Sequence, residues 1–68
     1  MKEVFLTDGH DKMIFMGNCE GDPWKEIMFP YLKSKDYEVF YTRCWQDKDG
    51  VNWVDFGSWS WFFCWKEK

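Results

Sequence analysis

The chain has 68 residues, 46% of them hydrophobic and 24% aromatic. That length holds one small domain, residues 1–68, and the share of rings excludes a disordered chain. With 12 acidic against 9 scattered basic residues and a net charge of −3, the chain lacks the clustered cations that grip phosphate; this argues against a nucleic-acid binder and is compatible with a basic protein partner.

Glu3–Thr7 (EVFLT) predicts a strand, being rich in β-branched and aromatic residues. Asp8–Lys12 (DGHDK) predicts a turn, because Asp-Gly supplies positive φ, and Met13–Cys19 (MIFMGNC) predicts the returning strand of a first hairpin. The opening residues MKEVFLTDGHD turn polar too early for a signal peptide. No apolar run approaches the roughly 20 residues that a spanning helix needs.

Asp22 and Pro23 predict a helix start, with the carboxylate accepting an orphan N–H and the proline at the first helical position. Trp24, Ile27, Met28, Tyr31 and Leu32 then form one helical stripe. Pro30 interrupts it, removing the bond to the Glu26 carbonyl, so the helix is expected to kink, or to end near Phe29 and restart.

Tyr37–Trp45 (YEVFYTRCW) predicts a long strand, and a three-residue turn at Lys48-Asp49-Gly50 predicts its return along Val51–Trp65, with Gly57 marking a bend or bulge. The expected fold is α+β: a four-stranded antiparallel sheet in the order ββαββ, with one kinked helix packed on one face. In that register Trp45 faces Trp53, Arg43 faces Asp55, Tyr41 faces Gly57, Val39 faces Trp59 and Tyr37 faces Trp61. The expected helix-covered face carries Phe40, Val54, Phe56 and Phe62, with Cys44 and Cys64. The other face carries the tryptophans. A single short helix covers one face only, so an aromatic surface is left over, and Trp, Tyr and Arg are the residue types enriched in interface hot spots. Tyr41, Arg43, Trp45, Trp53, Asp55, Trp59 and Trp61 are therefore the candidate partner-binding residues.

Nothing in the pattern points to a reaction. His10, Cys19, Cys44 and Cys64 are the soft metal ligands, and none has C-x₂-C or H-x₃-H spacing, so no metal is expected. His10 between Asp8 and Asp11 reads as a polar turn, no Ser or Cys is spaced to act as a nucleophile with it, and the isolated glycines form no phosphate loop. No enzyme and no cofactor are expected. Three widely spaced cysteines fit reduced thiols in a cytosol better than a secreted disulfide framework, so the expected compartment is cytoplasmic.

The closing segment WVDFGSWSWFF (Trp53–Phe63) resembles the C-terminal strand of small proteins encoded by phages and prophages of Gram-positive bacteria, which often end in an acidic-aromatic-Gly-Ser step followed by aromatics. In size, acidity and lack of catalytic groups the chain is similar to anti-CRISPR and other anti-defence proteins. That resemblance implies a protein of the bacterial host cytoplasm that binds and blocks a defence effector, and it transfers no site residues. The leading expectation is thus a non-enzymatic interaction module, a homodimer, that inhibits a bacterial defence protein through an aromatic sheet face and acidic loops. Acidic residues such as Asp47 and Asp49 would imitate phosphates for a basic target. A dimer that sequesters a nucleotide signal is the alternative, and a single-stranded nucleic-acid binder that stacks bases on its rings is the third.

Overall fold

The computed structural model describes all residues from Met1 to Lys68. The first hairpin forms as the turn chemistry predicts, from β1 (Lys2–Thr7) and β2 (Met13–Cys19). The Asp8 carboxylate accepts the backbone N–H groups of His10 and Lys12 at 2.9 and 3.2 Å, which closes the turn. A bulge between Val4 and Phe5 lets Met16 fall out of register and reach the core.

The helical segment shows what Pro30 does. Asp22 accepts the Trp24 N–H at 3.0 Å and starts it. Trp24–Met28 then winds as a π-helical turn, with the Phe29 N–H bonded to the Trp24 carbonyl five residues back. From there Phe29–Ser34 continues as the α-helix α1. The wider turn falls where proline offers no N–H to the Glu26 carbonyl. No helix is long and apolar enough to cross a membrane.

The four-stranded ββαββ sheet is corrected by the second half of the chain. There are five antiparallel strands in one sheet, ordered β2-β1-β5-β4-β3. The long strand expected over Val51–Trp65 is two strands, β4 (Asn52–Asp55) and β5 (Phe62–Glu67). Between them Gly57 takes a φ of 93°, and its N–H bonds the Asp55 carboxylate at 2.9 Å. That turn redirects the chain, so β5 runs back against β4 and on its other side pairs with β1. The last strand is therefore the central one and joins the two hairpins.

Two expectations fall with it. The expected strand Tyr37–Trp45 is reduced to β3 (Arg43–Gln46), because beyond Asp55 there is no strand left for residues 37–42 to pair with. The pairs Val39–Trp59 and Tyr37–Trp61 do not form. What survives is the turn-proximal register: Trp45 opposite Trp53 and Arg43 opposite Asp55.

Val4, Leu6, Val54 and Phe63 face Met28 and Leu32 of the helical segment, and Phe56 and Cys19 complete this core. Alternation along the strands sends Phe5, Phe62, Cys64 and Trp53 to the opposite face. Of the residues expected under the helix, Val54 and Phe56 are there. Phe62 lies on the other face, and Phe40 stands 83% exposed in the connection before β3.

Candidate functional site: the open face of the sheet

Register places one aromatic row straight across the sheet. Phe15 on β2 is opposite Phe5 on β1, Phe5 is opposite Cys64 on β5, Cys64 is opposite Trp53 on β4, and Trp53 is opposite Trp45 on β3. Met13 and Phe62 stand in the neighbouring row, each paired with Thr7. The helical segment packs on the opposite face; on this one the hairpin turn closes over Thr7 and approaches Phe62 through Gly9, while the β2 edge is open, with Met13 and Phe15 57% and 53% exposed. None of the six tryptophans of the chain is among its 11 buried residues.

The rings hold one another in place. Phe5 and Phe15 meet edge to face at 5.6 Å between centroids. The Trp45 and Trp53 planes lie within 10° of parallel at 6.3 Å, and Phe62 stands edge-on to both. Cys64, the one small side chain in the row, is covered by these neighbours, and burial pushes its thiol pKa up, so it stays protonated. Two cations stand over rings of the row. The Arg43 guanidinium is 5.3 Å from the Trp45 ring and the Lys66 ammonium 5.8 Å from Phe5. Contacts of this kind at exposed sites contribute about 0.5–1 kcal/mol each.

Asp47 fixes the Trp53 indole. Its carboxylate accepts the indole N–H at 2.8 Å with one oxygen, and the backbone N–H groups of Asp49 and Val51 at 2.9 and 3.0 Å with the other. The indole bond first, then the two backbone bonds, hold the carboxyl below its ordinary value. A turn carboxylate thus locks a surface ring into one orientation, which lowers the entropy such a ring loses when a partner lands on it.

The seven predicted residues separate. Trp45, Trp53 and Arg43 come together on the open face. Asp55 is opposite Arg43 in the ladder, but no ion pair joins them, since the ion pairs of the chain are three contacts among its terminal residues. Asp55 instead caps the Gly57 bend. Tyr41 lies across Gly57, its ring 3.5 Å from where a β-carbon would stand. Trp59 is fully exposed at the tip of the loop between β4 and β5, and Trp61 packs against the core on the helix side. Phe5, Met13, Phe15 and Phe62 were missed. Phe5 and Phe15 alternate with core residues in the first hairpin, and that signal becomes a shared face only once β5 is known to join the two hairpins.

This face carries rings and two cations, with the Cys64 thiol buried among them. Elsewhere, no three His, Cys, Asp or Glu side chains gather as a metal site would need, and all three cysteines are free thiols. No protein-family model, no curated protein and no solved structure matches the chain.

Proposed function

We propose that this chain is a non-enzymatic protein-interaction module, and that the open face of its sheet is the contact surface. The observation that carries this reading is the row Phe15–Phe5–Cys64–Trp53–Trp45, which spans all five strands on the face turned away from the helical segment. A central cluster of rigid aromatics flanked by Arg43 and Lys66 is the composition of an interface core rather than of ordinary surface. The net charge of −3 speaks for a protein occupant over a nucleic acid, since only two cations border the rings.

The narrower reading, a phage-type inhibitor that blocks a bacterial defence protein, rests on the resemblance carried by Trp53–Phe63. It selects bacterial lysate as the bait's medium. The experiment compares the wild type with Phe15→Lys and Trp45→Lys, two substitutions on opposite edges of the face. Each is expected to abolish capture of a partner that the wild type retains, with melting temperature nearly unchanged. Equal capture by all three proteins overturns the reading, and so does retention of nucleic acid in place of protein. Sedimentation of the free chain distinguishes a second copy: a mass that rises with concentration in the wild type and stays at the monomer value in both variants makes the homodimer the occupant.

A further inference from the structure

The opposite side of the sheet holds a separate feature. A hollow of about 330 Å³ opens beside the end of α1. Its volume is at the small end of the range of sites for small organic ligands, about 300–1,000 Å³. Leu6, Ile14, Leu32, Phe56 and Trp61 form its walls.

The polar side chains around it are Lys35 and the hydroxyls of Tyr31, Tyr37 and Ser58. Lys35 supplies the one charged side chain of the lining, and no carboxylate lines the hollow. Lys35 makes no ion pair; its ammonium rests 5.7 Å from the Tyr31 ring. The Tyr37 hydroxyl reaches the Phe56 carbonyl only at 3.5 Å, the outer limit of a hydrogen bond, so a better acceptor would draw it away. The Leu32 carbonyl at the helix end already accepts the N–H groups of Lys35 and Tyr37, at 3.1 and 3.0 Å. An apolar hollow is thus bordered by an unpaired cation and a weakly held donor.

We infer that this hollow binds a small amphipathic monocarboxylate, with its apolar body against Ile14, Phe56 and Trp61 and its carboxylate between the Lys35 ammonium and the Tyr37 hydroxyl. A neutral body alone would leave the ammonium unused, and a polyanion such as a nucleotide would find one cation where several are needed. The site lies across the sheet from the aromatic row, so it stands or falls independently of the contact surface proposed above.

The test is a titration of the full chain, followed by amide and indole NMR signals, with 4-phenylbutyrate and separately with its neutral analogue 4-phenylbutan-1-ol. The acid is expected to move the signals of Ile14, Lys35, Tyr37, Ser58 and the Trp61 indole, and to bind about fivefold more tightly than the alcohol at low salt. Lys35→Gln is expected to erase that preference and Lys35→Arg to keep it. Ile14→Glu, which removes a wall and sets a carboxylate at the mouth, is expected to weaken both ligands and the acid more than the alcohol. Absence of shifts at millimolar ligand overturns the inference. Shifts confined to Phe15, Trp53 or Trp45 overturn it too, as does equal affinity for acid and alcohol in the wild type.

Discussion

The two faces of this sheet carry similar side chains and put them to different use. On the helix side Phe63 is wholly enclosed between Val4, Leu6, Val54 and the helical residues. On the other side Phe62, its neighbour in sequence, stands edge-on to Trp45 and Trp53 with solvent beyond. The rings under the helix are held by burial, while those outside are held by one another, by two cations and by a turn carboxylate. Order on a surface can therefore be built without a lid, and a ring so held would lose little entropy on contact.

Several substitutions would break or sharpen this contrast. Phe63→Ala has the largest expected effect: a loss of about 3–5 kcal/mol in denaturant unfolding, since it empties the centre of the core. Phe15→Ala on the open face should cost at most about 1 kcal/mol in the same assay. Equal losses at the two positions would mean that the open face is core after all. Gly57→Ala should cost about 1–2 kcal/mol, because an L side chain resists a φ of 93° even though the space beside Tyr41 accepts a methyl.

A smaller effect is expected from Trp53→Phe, and its size depends on pH. The folded state holds the Asp47 carboxyl below its ordinary value, with the indole N–H as the largest cause. A carboxylate depressed in this way stabilises the fold above its unfolded pKa, and that contribution fades as pH falls through the lower, folded value. The stability gap between wild type and Trp53→Phe should therefore be widest at neutral pH and narrow below about pH 4. A gap that widens in acid would contradict the assigned role of Asp47. The smallest perturbation is chemical. Iodoacetamide should label Cys44, which is exposed, while Cys19 and Cys64 react only on unfolding, since burial shields both thiols and keeps them protonated.

The first hairpin and the Asp47–Gly50 turn were legible because local chemistry decides them: Asp-Gly at one turn, Asp and Gly at the other, and charge and ring pairs that fix register. The break in the terminal segment was harder to read. Trp59, Trp61 and Phe63 alternate through it as a strand would, although Asp55, Gly57, Ser58 and Ser60 crowd turn formers into the same stretch. Reading it as one strand left its apolar second half without cover on one face. Its position explains that composition: β5 lies in the middle of the sheet, with Phe63 toward the core, Cys64 within the aromatic row and Phe62 in the row beside it. Four of the seven expected contact residues, Arg43, Trp45, Trp53 and Asp55, share the open face because they sit beside a legible turn. Trp59 and Trp61 lie elsewhere because they belong to the loop that the break creates.

The most direct test of the contact surface is site-specific photo-crosslinking inside bacteria. A benzophenone amino acid is placed at Phe15 in one protein and at Lys33, exposed on α1, in another. The predicted result is a covalent adduct with a protein from Phe15 and none from Lys33. An adduct from Lys33 alone, or none from either position while both proteins remain folded, would contradict it.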